Sequence, residues 1–185
     1  MSRPIEFDRT EALSAVSEAF RRHGWASLSI KQLEQETGLS SGSLYNSFGN
    51  KDALFREAVS HYNEVVVKAR IAEHLGGDDP FEGLLSMFLT LLEEPGGGSL
   101  GCLLTNSAIE FSGKGIDAIS DGLDLLRVAF EGALFRLGQK PQARANALRL
   151  MTFYQGLLVL IRHGHSKDEL RHIIVDEIQS VAGEH

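Results

Sequence analysis

The chain has 185 residues, of which 43% are hydrophobic and 23% are charged, and its formal net charge at pH 7 is −7. This is the composition of an ordinary soluble globular protein, and its longest apolar run, Leu157–Ile161, is far shorter than the roughly 18 residues of a membrane span. Because the N-terminus has no apolar stretch of signal-peptide length and the single cysteine cannot form an intrachain disulfide, we expect a cytoplasmic protein without a membrane partner.

The first predicted helix spans Asp8–His23 and ends at Gly24. One of its faces is apolar, formed at helical spacing by Leu13, Val16 and Phe20. Trp25 follows directly, and we expect it to pack under this helix as a core anchor of a small N-terminal domain.

Two short helices around a tight glycine turn are predicted for residues 29–48. Ser29 is a good N-cap for the first helix, Gly38 ends it because glycine adopts the left-handed conformation without a steric penalty, and Ser40 caps the second. Each helix has one apolar face, formed by Ile30 and Leu33 in the first and by Leu44 and Phe48 in the second. The pattern predicts a helix-turn-helix, which lays its second helix in the major groove of DNA.

The start of that second helix is the candidate for contacts with base edges. Its first residues are Ser41, Gly42 and Ser43, and Tyr45 and Asn46 lie on its outward face. We assign the apolar face of the helix to the protein core and not to DNA.

This block resembles the DNA-binding end of the TetR family of bacterial transcriptional repressors. The family pattern runs without a gap through Ser29-Ile30, Leu33, Gly38-Leu39-Ser40, Gly42-Ser43-Leu44-Tyr45, Phe48 and Lys51–Leu54. The resemblance is specific over about Leu13–Leu54 and is mostly one of architecture beyond it. It implies a homodimeric, all-helical repressor that leaves its double-stranded DNA operator when a small-molecule effector binds the C-terminal domain.

The resemblance also assigns contacts to individual residues. Tyr45 and Lys51 match positions that touch phosphates, and a phenol hydroxyl and an ammonium suit phosphate oxygens. The full predicted DNA-binding set is Ser29, Ser40, Ser41, Gly42, Ser43, Tyr45, Asn46 and Lys51. The sequence departs from the common family pattern twice, because Ser41 stands where a basic residue is frequent and Glu34 replaces a small residue.

Charge is distributed unevenly along the chain. Residues 1–57 carry seven Lys or Arg and eight Asp or Glu, which gives −1, and the remaining −6 lies in the rest of the sequence. A DNA-binding domain is expected to have a basic footprint. The near-neutral N-terminal end therefore predicts modest affinity that depends strongly on salt.

After the helix-turn-helix block, the apolar residues of the sequence recur only at helical spacing. A long helix over Lys51–His74 links the two ends of the chain, and later helices are separated by breaks at residues 76–80, 95–98, 112–115 and 138–141. We therefore predict an all-α protein of about nine helices. A three-helix helix-turn-helix domain at residues 1–50 is joined by the long helix to a ligand-binding and dimerisation domain at residues 51–185.

The helix predicted over Leu100–Phe111 is mostly apolar but has a stripe of polar residues. Cys102, Asn106 and Glu110 share one face, which is directed either to a ligand pocket or to solvent. With Ser99 as cap, Cys102 falls in the first turn, where it is either a thiol activated by the helix dipole or a buried, inert cysteine. The candidate pocket set is Tyr62, Phe88, Cys102, Asn106, Glu110, Phe111, Phe153 and Tyr154. For its aromatic members, a place in the plain hydrophobic core is the alternative.

The helix over Leu148–Ile161 is apolar nearly all round, so it is expected to be buried on more than one side. A two-fold partner supplies the missing surface, and Gly156 lets a second backbone approach. The resemblance points the same way, since the family pairs its last two long helices in a dimer; burial in the chain's own core is the alternative. The predicted interface residues are Leu150, Leu157, Leu160, Ile161, Ile174, Ile178 and Val181.

No Ser/His/Asp set, phosphate-binding loop or zinc motif is present, and His163, His165 and His172 lack metal-ligand spacing. We therefore predict no enzyme activity, no metal and no cofactor. The predicted function is a ligand-responsive transcriptional repressor. Two alternatives remain open: a helical small-molecule-binding protein whose DNA binding has lapsed, and a redox- or electrophile-sensing regulator acting through Cys102.

Overall fold

Side-chain caps start the first four helices in the computed structural model of this protein. These helices are α1 (Arg9–His23), α2 (Ile30–Thr37), α3 (Ser41–Phe48) and α4 (Lys51–Tyr62), and their caps are Asp8, Ser29, Ser40 and Asn50. Each cap side chain accepts a hydrogen bond from a backbone N–H of the first turn, which satisfies a donor that the helix itself leaves open. Local sequence therefore sets where these helices begin.

The structure describes residues 7–93, 100–111 and 115–183, and every regular element in these ranges is helical. A π-helix (Asn63–Val67) joins α4 to α5 without a break, and a 3₁₀ turn (Thr90–Leu92) extends α6. The later helices are α5 (Lys68–Leu75), α6 (Pro80–Leu89), α7 (Leu103–Glu110), α8 (Asp117–Arg136), α9 (Ala143–Arg162) and α10 (Lys167–Ala182). The all-α prediction is confirmed. The proposed cap Ser99 and the glycine run before it lie outside the described residues.

The chain forms two compact units, and neither is continuous in sequence. Unit 1 consists of Met1–Val65 and Leu103–Gly122, and unit 2 consists of Val66–Cys102 and Leu123–His185. This division differs from the boundary predicted at residue 50. The difference arises because α4 packs on α1, and α7 packs on both of these helices.

Aromatic rings form the centre of unit 1. Phe20 of α1 meets Phe55 of α4 edge-on, with 4.9 Å between ring centroids, and Phe55 stacks on Phe111 at 4.8 Å. Trp25 meets Phe111 edge-on at 5.3 Å. Trp25 is thus part of the aromatic centre of unit 1, with its ring against the residue that follows α7. The buried Leu33, Leu44 and Phe48 complete the helix-turn-helix part of this core, as predicted.

A glycine of α8 allows a close approach inside unit 1. Asn63 donates a hydrogen bond from Nδ2 to the Ala118 carbonyl (2.7 Å), and Gly122 lies one turn further along α8. A Cβ added at Gly122 would lie 2.7 Å from Cδ1 of Leu104 and closer still to Oδ1 of Asn63. Both neighbours would have to shift to admit a methyl group.

We therefore expect Gly122→Ala to lower the free energy of unfolding by about 1–3 kcal/mol, the usual cost of overpacking. The matched control is Gly132→Ala in the same helix, where an added Cβ meets no atom within 4 Å. That variant is expected to be neutral or more stable by up to about 1 kcal/mol, because alanine favours the helix. Urea denaturation followed by circular dichroism measures both, and equal stability of the two variants would contradict the close packing.

Unit 2 is centred on Phe88 of α6. Its ring stacks on Phe153 at 5.6 Å and meets Tyr154 edge-on at 5.5 Å, and Phe130 of α8 lies at 5.4 Å. Aromatic contacts of this kind stabilise a core beyond the area that they bury. Within the described ranges, no helix is both long and apolar enough to span a lipid bilayer.

Candidate nucleic-acid interface

Helix α3 separates its apolar and polar residues cleanly. Leu44 and Phe48 are buried, whereas Gly42 and Asn46 are exposed and Tyr45 is half-buried. Partial burial raises the pKa of the Tyr45 hydroxyl, so that this group stays protonated and able to donate a hydrogen bond. The outer surface of α3 thus offers hydroxyl and amide groups at the place where a groove-binding helix needs them.

Three serines predicted to contact DNA have structural partners. Ser29 Oγ accepts from the Gln32 backbone N–H (3.3 Å), and the Gln32 side chain accepts from the Ser29 N–H in return (2.9 Å). Ser40 Oγ accepts from the Ser43 N–H (3.1 Å) and lies 3.0 Å from Ser43 Oγ. These serines fix the first turns of α2 and α3, which positions the rest of the polar surface.

Lys51 begins α4 but does not point freely into solvent. Its Nζ donates to the Trp25 carbonyl oxygen (2.5 Å) and lies 4.6 Å from the centre of the Trp25 ring. Burial is the main cause that lowers the pKa of the Lys51 ammonium, and the nearby carboxylate of Glu110 acts in the opposite direction. Lys51 is thus anchored on the turn between α1 and α2.

Glu110 holds the same turn from α7. Its carboxylate accepts from the backbone N–H groups of Trp25 (2.8 Å) and Ala26 (2.5 Å). One helical turn earlier, Asn106 donates from Nδ2 to the Arg21 carbonyl (3.1 Å) at the end of α1. The sequence placed Asn106 and Glu110 on a ligand pocket or in solvent; the structure corrects this, because both side chains bind backbone groups that α1 and its following turn leave open.

The other predicted pocket residues are divided between the two units. Tyr62 and Phe111 belong to the core of unit 1, and Phe88, Phe153 and Tyr154 form the aromatic centre of unit 2. Cys102 is 7% exposed and precedes α7, which begins at Leu103. Cys102 therefore lies one residue before the first turn in which the sequence placed it.

Sequence reasoning missed a polar cluster beside the aromatic centre of unit 2. Arg70 donates from Nη2 to the Met87 carbonyl (2.9 Å) and Thr90 Oγ1 (3.0 Å), and it also interacts with the Tyr154 hydroxyl. Burial raises the pKa of Tyr154 to about 12. Burial and the Arg70 charge lower the pKa of His74, whose ring contacts Ser86 and Thr90. The sequence feature that could have indicated this cluster is Arg70, a charged residue on the otherwise apolar stripe of the predicted long helix.

Most residues predicted for a dimer interface are already covered by their own chain. Leu150, Ile174 and Ile178 have no exposed surface, and only Leu160, at 37%, is open to solvent. The remaining covered residues of the predicted set are Leu157, Ile161 and Val181. The prediction is corrected for these six positions, because they face the inside of unit 2.

A different stripe of α9 is open instead. Leu148 is 62% and Val159 is 51% exposed, and Thr152 and Gly156 lie between them on the same face. No atom lies within 4 Å of a Cβ placed on Gly156. Ile173 of α10 is a further exposed apolar residue. The spacing of these residues along α9 is that of a single helical face.

Residues 12–58 match the model of the bacterial regulatory proteins of the tetR family. This segment contains most of α1, all of α2 and α3, and the first part of α4. Over this segment the chain is similar to the TetR family.

Two curated repressors resemble part of this chain. The HTH-type transcriptional repressor ComR of Escherichia coli is 38% identical over 60 residues, which are 32% of this chain and 29% of ComR. The HTH-type transcriptional repressor AcnR of Corynebacterium glutamicum is 33% identical over 78 residues, which are 39% of this chain and 42% of AcnR. The matches therefore span less than half of either relative.

Solved structures extend the likeness to the whole fold. A cysteine-substituted variant of the TetR-family regulator CifR, complexed with 26-bp double-strand operator DNA, aligns with a TM-score of 0.80 at 22% identity and covers 97% of this chain and 99% of CifR. The TetR-family regulator SCO4454 of Streptomyces coelicolor aligns with a TM-score of 0.81 at 15% identity and covers 95% and 94%. At these identities the comparison establishes the TetR-type fold.

The two departures from the common TetR pattern contact each other. Glu34 Oε1 accepts a hydrogen bond from the Ser41 backbone N–H (2.6 Å), and this bond is the main cause that lowers the pKa of Glu34. The carboxylate of α2 thereby satisfies a donor at the start of α3, where negative charge is favourable. Glu34 is thus an additional cap that fixes the angle between the two helices of the motif.

Basic groups near this surface are largely neutralised. Arg9 pairs with Glu57, and Arg22 pairs with Glu18 and Glu36. In the part of the chain that the structure describes, Lys31 and Arg56 have no ion pair with a carboxylate. The near-neutral balance inferred from composition therefore also holds at the level of individual contacts.

Proposed function

We propose that this protein is a cytoplasmic, homodimeric transcriptional repressor without enzyme activity, which binds a double-stranded DNA operator and releases it when a small molecule binds in unit 2. The observation that carries this proposal is the surface of α3, which buries Leu44 and Phe48 and exposes a polar N-terminal turn. The TetR-family match of this segment, the repressor function of ComR and AcnR, and the operator complex of CifR support it.

The residues of α3 have distinct proposed roles. The exposed Asn46 amide has the donor and acceptor pair that suits an adenine edge in the major groove. Tyr45 donates its hydroxyl proton to a phosphate, and Gly42 lets the sugar-phosphate backbone approach closely. Lys51 uses one of its three donors on the Trp25 carbonyl, so further donors are available for phosphate oxygens. Ser29, Ser40, Ser41 and Ser43 act mainly by holding the helix starts.

The effector is proposed to bind in unit 2 near Phe88, Phe153 and Tyr154. Aromatic rings with a few polar groups are typical of small-molecule sites. The Arg70 side chain and the Tyr154 hydroxyl supply those polar groups. Ligand binding would change the population of conformations in which two α3 helices match successive major grooves, about one helical turn of DNA apart.

We propose that the exposed stripe of α9 forms the dimer interface. The stripe runs from Leu148 through Gly156 to Val159, and Ile173 of α10 is a further exposed apolar residue. A two-fold axis brings the same patch of both copies together, and the open space at Gly156 permits two helices to pack closely. This interface would cover the apolar residues of α9 that the protomer itself leaves exposed.

The proposal is tested by measuring binding to fragments selected from genomic DNA. We expect Tyr45→Phe to weaken binding by about three- to tenfold on selected and random fragments alike, because it removes one phosphate hydrogen bond. Asn46→Ala is expected to weaken binding to the selected fragment only, by about tenfold, because base contacts carry the sequence preference.

Ser120→Ala, which removes an exposed hydroxyl from α8, is the matched control and should bind like the unaltered protein. Fluorescence anisotropy at several salt concentrations provides all of these values. Wild-type protein that prefers no double-stranded fragment even at low salt would overturn the repressor proposal.

A further inference from the structure

Unit 1 contains a cavity that the proposed repressor function does not use. Its volume is about 340 Å³, within the range of small-molecule sites. The lining comes from the turn after α1, from α4 and from both sides of the α7–α8 connection, and consists of Trp25, Asp52, Phe55, Arg56, Phe111 and Ile116. All six residues belong to unit 1, whereas the effector proposed above binds in unit 2.

The walls of this cavity are aromatic. Phe55 and Phe111 are stacked with a 22° angle between their planes, and Trp25 stands edge-on to Phe111 at 65°. Rings in these orientations offer both faces and edges to a further flat ring. The indole Nε1 of Trp25 is buried and has no acceptor within the described residues. A buried donor of this kind is normally satisfied by a water molecule or a ligand atom.

Two opposite charges stand at the cavity on successive turns of α4. Asp52 and Arg56 are both exposed, and within the described ranges neither side chain makes a hydrogen bond or an ion pair. A guanidinium offers a planar pair of donors that matches a carboxylate. Asp52 disfavours additional negative charge, so a ligand with one carboxylate fits better than a ligand with two.

We propose that this cavity binds a small monocarboxylate with a flat aromatic ring, the ring against Trp25, Phe55 and Phe111 and the carboxylate on Arg56. The Trp25 backbone also holds the Glu110 carboxylate and the Lys51 ammonium. A ligand in the cavity therefore contacts the residue on which the turn between α1 and α2 is anchored. The site does not depend on DNA binding, and its test requires no DNA.

The chain has a single tryptophan, so its intrinsic fluorescence reports on this cavity directly. The full-length protein is titrated with 3-phenylpropanoate, which absorbs little where indole is excited. We expect a saturable change in emission. The uncharged 3-phenylpropan-1-ol and the non-aromatic 3-cyclohexylpropanoate are expected to bind at least about tenfold more weakly, because each lacks one of the two recognised groups.

Variants assign the charge recognition to individual residues. Arg56→Gln is expected to weaken 3-phenylpropanoate binding by about tenfold, and Asp52→Asn to strengthen it severalfold. Arg144→Gln, which alters an exposed arginine of α9, should leave the titration unchanged. All three positions are exposed, so the variants are expected to fold. The proposal is overturned by the absence of a saturable signal, by equal binding of the alcohol, or by an unaltered titration of Arg56→Gln.

Discussion

Glutamate substitutions at Leu148 and Val159 together are expected to convert the protein to monomers and to remove operator binding. Both side chains are more than half exposed on one stripe of α9, where the proposed two-fold contact would place them against their own copies. Four carboxylates would then enter one apolar interface, where unpaired charges are strongly disfavoured. Because each half-site would then have to be bound separately, DNA affinity should fall by about a hundredfold or more.

Sedimentation equilibrium measures the change in oligomeric state, and anisotropy measures the change in DNA affinity. The matched control is Val128→Glu, which places the same charge on an exposed valine of α8 outside the stripe and should leave the dimer intact. Leu157→Ala supplies a second comparison, since Leu157 is only 1% exposed. That variant should lose about 2–5 kcal/mol of folding stability while the folded fraction stays dimeric. A double glutamate variant that remains dimeric would refute the assignment of this face.

Glu110→Ala is expected to weaken DNA binding by about tenfold or more and to lower the free energy of unfolding by about 1–3 kcal/mol, the usual contribution of hydrogen bonds to a charged acceptor. The variant removes the carboxylate that accepts from the Trp25 and Ala26 N–H groups, and it removes the negative charge near the Lys51 ammonium. The turn that leads into α2 then loses its anchor on α7. Both the position of the motif and the orientation of Lys51 depend on that anchor.

Glu110→Gln keeps one carbonyl acceptor and should lie between the alanine variant and the unaltered protein in both measurements. Glu73→Ala is the control, since Glu73 is an exposed acid of α5 that forms no hydrogen bond in the described structure. Denaturation curves and DNA titrations at one salt concentration separate the two effects. Loss of stability in Glu110→Ala with unchanged DNA affinity of the folded protein would show that the anchor does not position the interface.

The helix-turn-helix could be predicted from the sequence because its determinants are local. Ser29, Ser40 and Asn50 start helices through bonds to residues three positions later, and Gly38 ends one through its own backbone conformation. The inward direction of Leu44 and Phe48 follows from helical spacing alone. Such features need no knowledge of the rest of the chain.

The role of Glu110 could not be predicted in the same way. Its partners Trp25 and Ala26 lie more than 80 residues away in sequence, and no periodicity links a carboxylate to two backbone N–H groups at that distance. The polar stripe on α7 was therefore visible, but its partner was not.

The proposed dimer face is a second feature that could not be predicted from the sequence. The apolar sequence of α9 predicts burial on more than one side, but it contains no sign of which side the protomer covers. Only the packing of the helices decides that Leu150 turns inward and Leu148 outward. Glu34 and Ser41 illustrate the same point for polar groups, because the sequence shows two separate departures from the family pattern and not their mutual hydrogen bond.

The split composition of unit 1 has a practical consequence for anyone who wishes to transplant its DNA-reading part onto another protein. A fragment that stops at Val65 lacks Phe111, which the rings of Trp25 and Phe55 contact. It also lacks Glu110, whose carboxylate accepts a backbone hydrogen bond from the turn between α1 and α2. A functional chimera should therefore carry the distant Leu103–Gly122 stretch as well, grafted as a second piece.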